Sequence, residues 1–150
     1  MKKLFSILAF TLLLLISYLI IDNYVLKNKI NSNKEKTLTP LPCDLNSKDC
    51  VYKFKNKEIL ISLTPKPIKS LQNIHLKIKN LGTYENLKLK IYGLNMFMGE
   101  INPKIYRINQ TDYEAQFTLS ACSMHIMRFR AELINNNKPI DFYFDFDLRR

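Results

Sequence analysis

The sequence has few of the residues on which nucleotide sites and catalytic dyads depend. Its three glycines form no phosphate-binding loop, so dinucleotide binding and phosphoryl transfer have no support. Of its two histidines, His125 lies three residues after Cys122. In an extended segment that spacing points the two side chains to different sides, too far apart for a nucleophile–base hydrogen bond. We therefore predict that the protein is not an enzyme.

A concentrated basic face is also absent, although the formal net charge is +10. Residues 1–36 hold six lysines against two acidic residues, and the remaining basic residues are spread among apolar ones. Nucleic-acid binding needs a clustered basic surface with interleaved aromatic side chains. We predict no nucleic-acid partner, and only a weak attraction to anionic lipid headgroups.

One long apolar run is present. Leu4 to Ile21 is eighteen residues without a charge, and as a helix it would be about 27 Å long, close to the hydrocarbon thickness of a bilayer. Asp22-Asn23-Tyr24 follows, with no pair of small residues for a signal peptidase to cut. We predict an uncleaved anchor over residues 1–26 that contacts the lipid bilayer through residues 4–21. A cleaved signal peptide is the alternative.

Residues 27–42 are polar and end in two prolines, a composition that predicts an unfolded stalk. Lysines on both sides of the apolar run give opposite signals for its orientation. The short Met1-Lys2-Lys3 flank resembles a secretory leader, and the cysteine spacing suits an oxidising compartment. We predict a single-pass protein of the bacterial inner membrane with its domain on the periplasmic side.

Residues 43–150 have a dominant period of two, which is typical of antiparallel strands with one solvated face. The turn signals between them are Asn56-Lys57, Leu81-Gly82, Asn102-Pro103, Asn109 to Asp112 and Asn135 to Asn137. The inward stripes are Ile59, Ile61 and Leu63; Ile74, Leu76 and Ile78; Leu87, Leu89 and Ile91; Met127, Phe129, Ala131 and Leu133; and Ile140, Phe142, Phe144 and Phe146. We predict an all-β, immunoglobulin-like antiparallel β-sandwich of seven or eight strands after a single transmembrane helix.

Polar residues on the other faces of these strands are predicted to be solvated. His75 lies among lysines and is expected to be exposed and without a role. Asp141, Asp145 and Asp147 share one face at even spacing, which favours a solubilising surface over a Ca²⁺ site.

Three cysteines allow three pairings. Cys43 and Cys50 lie seven residues apart just before the first strand, and a bond between them would close a short polar loop. We favour that disulfide, which leaves Cys122 over. Two free thiols, or a bond from Cys122 to either partner, are the alternatives.

The methionines after the first residue fall in two clusters. One is Met96-Phe97-Met98-Gly99, and the other runs from Cys122 to Met127. Thioether, thiolate and imidazole groups are the ligands that Cu(I) prefers, and it accepts two to four of them without strict geometry. The candidate ligands, provided that their strands are neighbours, are Met96, Met98, Cys122, His125 and Met124. The alternative is plain packing, because Met and free Cys are common core residues.

Several of these segments carry a resemblance to a known family. Met96-Phe-Met-Gly, Tyr113-Glu-Ala-Gln-Phe-Thr-Leu, Cys122 and Met127-Arg-Phe-Arg-Ala-Glu-Leu resemble the second half of the YtkA-like and FixH-like domains. Those are membrane-tethered β-sandwiches outside the bacterial inner membrane, associated with copper handling and cytochrome oxidase assembly. The resemblance implies a role in Cu(I) delivery or oxidase assembly and a partner that is another membrane or copper-handling protein.

The sequence also departs from that pattern. No His follows Met98, Thr111-Asp112 stands where the family has Gly-x before Tyr113, and Ser123-Met124-His125 replaces a Gly-Trp pair. These departures concern the ligand set rather than the fold. Two hypotheses follow: a tethered Cu(I) binder, or a structural or interaction module of a membrane complex in which the sulfur residues are packing.

Overall fold

The structure is a computed structural model that describes residues 12–13, 15–18, 39–121 and 123–150. The chain divides into two compact units, residues 1–39 and 40–150. In the first unit, residues 12–13 and 15–18 are helical and exposed. The predicted stalk lies mostly outside the described residues, and so does most of the predicted anchor. Among the residues that are described, no helix has the length and apolarity to cross a bilayer.

The second unit is built from strands. Nine are present among its described residues: β1 Cys50–Phe54, β2 Lys57–Thr64, β3 Asn73–Lys79, β4 Leu87–Gly93, β5 Glu100–Ile101, β6 Ile105–Arg107, β7 Tyr113–Thr118, β8 Ile126–Asn135 and β9 Lys138–Arg149.

The strands form two antiparallel sheets, one with the order β1-β2-β3-β7-β6 and the other with the order β5-β4-β8-β9. The prediction of an all-β sandwich is confirmed at this level. The strand number differs from the seven or eight expected. The extra elements are β5 and β6, which are two and three residues long, too short for an alternating pattern to be recognised.

Alternation along each strand decides which side chains enter the space between the sheets. In β3, Ile74, Leu76 and Ile78 are buried, whereas His75 and the neighbouring lysines are exposed. The other predicted inward stripes are buried in the same way, with only Leu87 at partial exposure. His75 is exposed, as predicted.

Aromatic side chains of β9 join the two sheets. The Phe144 ring lies 6.2 Å from that of Tyr52 on β1, and the Phe146 ring lies 6.2 Å from that of Phe117 on β7. Phe142 packs on Phe54 at 5.2 Å. Because each pair links one sheet to the other, these contacts form the centre of the core, and aromatic pairs at such distances add to the stabilisation from burial alone.

Tight turns close the two main hairpins. Lys55 and Asn56 both have positive φ, and so do Asn136 and Asn137. Two consecutive residues with positive φ are the signature of the type I′ turn, whose twist suits a two-residue hairpin and which favours Asn. The second turn lies within the predicted Asn135–Asn137 segment, and the first lies one residue before the predicted Asn56-Lys57 pair, because Lys57 already belongs to β2.

Strand β9 contains an irregularity that shifts its register against β8. Between the Ile134–Pro139 and Glu132–Tyr143 pairs, β8 advances by two residues and β9 by four. Asp141, inside this bulge, has φ of 60°. Since the shift is an even number of residues, the inward and outward faces of β9 are preserved.

Tyr113, at the start of β7, is buried and anchors the connection between β3 and β4. Its hydroxyl accepts a hydrogen bond from the backbone N–H of Tyr84 at 2.8 Å. It lies 3.1 Å from the carbonyl of Gly82 and 3.2 Å from that of Tyr84, to which it can donate. Burial also raises the pKa of the Tyr84 phenol. One side chain therefore provides partners for backbone groups of a partly buried segment without regular secondary structure.

Replacing Tyr113 by phenylalanine is expected to lower the free energy of unfolding by about 1–3 kcal/mol, because the Tyr84 N–H loses its acceptor. Urea unfolding followed by circular dichroism would measure the change. Tyr106→Phe, at an exposed position, is the matched control and is expected to have no effect. Equal stability of the two variants would contradict this role for the hydroxyl.

Candidate functional site

The chain brings many loops together at one end of the sandwich. In the five-stranded sheet the start of β3 lies beside the end of β7, since Asn73 pairs with Thr118. In the four-stranded sheet the start of β8 lies beside the end of β9, since Ile126 pairs with Arg149. We call this end the disulfide pole; it consists of residues 43–50, 64–73, 93–100, 118–121, 123–128 and 147–150.

Cys43 and Cys50 form a disulfide at this pole, as predicted, with a Cα–Cα distance of 5.9 Å. Cys50 is fully buried as the first residue of β1, and Leu45 inside the closed loop is also buried. The loop is therefore not a solvated appendage, as its polar composition suggested, but a packed part of the end of the sandwich.

Asn46 fixes the closed loop to both sheets. Its side-chain amide donates to the carbonyl of Asp147 in β9 at 2.7 Å. Its side-chain oxygen accepts from the N–H of Ile68, in the connection after β2, at 3.0 Å. Asn46 is itself buried, so these bonds are shielded from water and provide partners for backbone groups that would otherwise be costly to bury.

Asp44 shapes the turn inside the loop. Its carboxylate accepts from the backbone N–H of Asn46 at 3.0 Å and lies 3.0 Å from a guanidinium nitrogen of Arg149. Burial acts to raise the pKa of this carboxyl, but the hydrogen bonds from Asn46 and Arg149 outweigh it, so the pKa lies below its ordinary value. The carboxylate is thus held in its charged form beside a cation.

The two methionine segments lie next to each other at this pole. Asn95, in the connection between β4 and β5, accepts from the Arg128 N–H and donates to the Ile126 carbonyl, both at 2.9 Å. The same amide nitrogen lies 3.8 Å from the sulfur of Met124. The strands that flank these segments, β4 and β8, are neighbours in the sheet, but Met96, Met98, Met124 and His125 lie in the connections beside the strands and not on them.

Gly93 allows this close approach. A Cβ at that position would lie 2.3 Å from the carbonyl oxygen of Met96 and 2.4 Å from the terminal carbon of Met127. No larger residue fits unless the connection moves. The turn after β4 therefore folds back over β8, and the absence of a side chain at Gly93 brings the two segments together.

The candidate ligands differ in exposure. Met96 and Met98 are 40% and 39% exposed, on either side of Phe97, which is 80% exposed. Met124 is half-buried and His125 is exposed. Met127 is buried in the core, as its place in the inward stripe predicted.

Cys122 lies outside the described residues, so its place in the ligand pool stays a prediction. In the described part of the chain, no group of three or more His, Cys, Asp or Glu side chains is arranged to hold a metal ion.

A groove of about 410 Å³ crosses the pole. Its lining includes the apolar residues Met127 and Leu148 and the basic residues Arg149 and Arg150. Ser70, Ala121, Ser123 and Met124 complete the lining. The groove is thus lined by both the half-buried Met124 and two arginines.

Of the three aspartates of β9 that the sequence predicted to be solvated, Asp141 is exposed and Asp145 is partly exposed, but Asp147 is not solvated. Asp147 is only 5% exposed, and its two oxygens lie 2.8 and 3.1 Å from Nε and Nη2 of Arg128, which is also buried. The hydrogen bond from Asp147 outweighs the effect of burial and raises the pKa of Arg128. The prediction was wrong here because the alternating pattern shows which residues share a face but not what covers that face.

The Arg128–Asp147 pair forms one cross-strand rung between β8 and β9, and a second arginine–aspartate rung lies two residues away along each strand. Arg130 makes two hydrogen bonds to Asp145, at 2.8 and 3.0 Å, and its guanidinium lies 4.0 Å from the Tyr143 ring centroid. The signal for both rungs was present in the sequence, since the arginines of β8 and the aspartates of β9 share one parity across a hairpin. Only the first rung is buried.

No family model, no curated protein and no solved structure matches this chain.

Proposed function

We propose that the protein is a membrane-anchored, extracytoplasmic β-sandwich of immunoglobulin-like character that binds Cu(I) at the disulfide pole. In this proposal residues 4–21 cross the bacterial inner membrane and the sandwich lies on the periplasmic side. The role is binding, for copper delivery or oxidase assembly alongside another membrane or copper-handling protein, and not catalysis. The resemblance to YtkA-like and FixH-like domains is part of this proposal.

The observation that carries the proposal is the adjacency of the two methionine segments. Asn95 of one segment lies 3.8 Å from the sulfur of Met124 in the other, and Met96 and Met98 are each about 40% exposed rather than enclosed in the core. A packing role favours burial, whereas a ligand needs a sulfur within reach of an incoming ion. The Cys43–Cys50 disulfide supports the oxidising compartment.

The chemistry of these donors suits Cu(I). Thioethers are soft and neutral, and Cu(I) takes two to four such ligands without strict geometry. The proposed pool is Met96, Met98 and Met124, with Cys122 and His125 as further donors. Their sulfur atoms must come within about 4–5 Å of a common point, since metal–sulfur bonds are short.

A competitive Cu(I) titration of the full-length chain in lipid nanodiscs tests the proposal. We expect the protein to draw Cu(I) from a chelator, and the double variant Met96→Leu, Met98→Leu to weaken binding on the order of tenfold or more, about 1.4 kcal/mol in binding free energy. Leucine conserves the volume of methionine, so the fold is expected to remain intact.

Two further variants serve as controls. Phe97→Leu changes an exposed neighbour that carries no ligand atom, and its affinity should equal that of the unaltered protein. Cys122→Ser tests the remaining sulfur. Binding no tighter than the chelator, or equal affinity in the methionine and Phe97 variants, would end the copper proposal.

A second candidate function is an interaction module of a membrane complex. The observation that favours it is Phe97, which is 80% exposed at the tip of a connection that Asn95 otherwise holds firmly. Large aromatic side chains in such positions are common anchors of protein interfaces. Full complex assembly by a chain that cannot bind Cu(I) would favour this candidate.

A further inference from the structure

We propose that the disulfide pole docks on the surface of an anionic phospholipid bilayer, with Phe97 and Leu71 inserted at headgroup depth and basic residues between lipid phosphates. This inference rests on the anchor in the proposed function but not on copper. If it holds, Met96 and Met98 lie at the membrane surface, where they would meet an ion or partner delivered along the bilayer.

The first observation is that exposed apolar side chains lie in two segments next to residues that line the groove at this pole. Leu71, which follows the groove residue Ser70, is 73% exposed. The connection that contains Asn95, which contacts the groove residue Met124, carries Phe97 at 80% exposure and Leu94 at 41%. Apolar tips with polar backbone beneath them are suited to an interface that is apolar on one side and wet on the other.

Leu71 provides a second, independent observation. Its φ is 60°, in the left-handed region that residues with a Cβ rarely adopt. In the described part of the chain, the other non-glycine residues with positive φ are Lys, Asn or Asp. Leucine there gains neither burial within the domain nor a favourable backbone conformation. An exposed apolar residue in a strained position indicates a role outside the fold.

The charge of the pole suits an anionic surface. The pole holds six Lys or Arg residues against four acidic residues, Asp44, Asp49, Glu100 and Asp147, each of which is paired with a lysine or an arginine. Among the described residues, the cations Lys48, Lys69 and Arg150 have no acidic partner. The cations of the pole therefore exceed its anions, and basic residues close to apolar tips strengthen binding to anionic lipid.

The place where the N-terminal segment joins the sandwich favours a lipid bilayer as the partner that covers this pole. The chain enters the sandwich at Pro40 and reaches Cys43 at this same pole, so the apolar run Leu4–Ile21 is connected to this end. About twenty residues separate them, and the unfolded stalk predicted from the sequence would have a root-mean-square span of about 25 Å over that length. A bilayer holding that run would therefore be present at high effective concentration for this pole, where the connection joins the sandwich.

The absence of tryptophan from the sequence allows a direct test. Phe97→Trp places a reporter at the pole, and Ile108→Trp places one at an exposed apolar position at the opposite end, just after β6. Each full-length variant is reconstituted in phosphatidylcholine vesicles with or without phosphatidylglycerol, with brominated lipid as the quencher. Flotation of the same vesicles measures anchoring separately.

We expect the emission of the Phe97→Trp variant to shift to the blue and to be quenched by brominated lipid, more strongly with phosphatidylglycerol. The Ile108→Trp variant should emit as tryptophan does in water. When Lys69→Gln and Arg150→Gln are added to the Phe97→Trp variant, most of the extra quenching that phosphatidylglycerol causes should be lost. Water-like emission of the Phe97→Trp variant, from chains that still float with the vesicles, would overturn the docking while the anchor stands.

The remaining outcomes also decide the matter. A blue shift without quenching would mean that the reporter at the pole is covered by protein, either a second copy or a partner, and would overturn the lipid assignment. Equal quenching with and without phosphatidylglycerol would overturn the role of the basic residues. Chains that fail to float at all would overturn the docking and the anchor together.

Discussion

Asp147→Ala is expected to lower the free energy of unfolding by about 3–5 kcal/mol, the range for removal of one partner from a buried ion pair. The substitution leaves the Arg128 guanidinium, which is also buried, without the carboxylate that accepts two of its hydrogen bonds. The Asp147 carbonyl that accepts from Asn46 belongs to the backbone, so that contact is kept. Urea unfolding of the full-length chain in a mild detergent would measure the loss.

The neighbouring rung provides a matched control. Asp145→Ala removes an equivalent bidentate partner from Arg130, but that pair is partly solvated, so we expect a loss of about 1 kcal/mol or less. The double variant Arg128→Met, Asp147→Leu removes both buried charges and is expected to be far closer to the unaltered protein than Asp147→Ala. Similar decreases in the free energy of unfolding for Asp145→Ala and Asp147→Ala would show that burial of the Arg128–Asp147 pair does not affect stability.

The double variant Cys43→Ser, Cys50→Ser is expected to lose about 2–5 kcal/mol, the range for a native disulfide in a small domain. For a closed loop of about eight residues, chain entropy alone accounts for about 2.5 kcal/mol. Part of any excess would come from weaker docking of the loop, since Leu45 and Asn46 are buried within it. Thermal or urea unfolding of the full-length chain provides the measurement.

Reduction of the unaltered protein by a thiol reagent should reproduce the loss. Cys122→Ser is introduced into both the otherwise unaltered protein and the Cys43→Ser, Cys50→Ser variant, so that thiol exchange with Cys122 does not affect the comparison. Unchanged stability of the reduced chain would show that the loop is held by Asn46 and Leu45 alone.

The strand faces could be predicted from the sequence because they depend only on alternation. Ile74, Leu76 and Ile78 are buried whatever strands lie beside them, so a local pattern was sufficient. Register could not be predicted in the same way. Without the bulge around Asp141, a hairpin turning at Asn136-Asn137 would place Arg128 opposite Asp145; with it, Arg128 meets Asp147. Charge pairing favours the shifted register, since the regular one would place Arg130 opposite Tyr143 and Glu132 opposite Asp141, but the alternating pattern alone gives no sign of the bulge.

The candidate site depends on a pairing that is distant in sequence. The methionine segments meet because β4 pairs with β8, across the intervening β5, β6 and β7. Nothing in the local pattern near Met96 or Met124 indicates that neighbour. The sequence could name the sulfur residues as a pool, but the segments that carry them are brought together by tertiary contacts of Asn95 and Gly93.

The disulfide has a mechanical consequence for a tethered domain. Tension that arrives along the chain at Cys43 passes directly to Cys50, the first residue of β1, and residues 44–49 carry none of it. A pull along the strand axis then loads the five β1–β2 residue pairs together rather than peeling them one at a time. The hydrogen bonds of Asn46 to Ile68 and Asp147 would then carry no load, so a pull applied through Cys43 would not distort the loop that they hold.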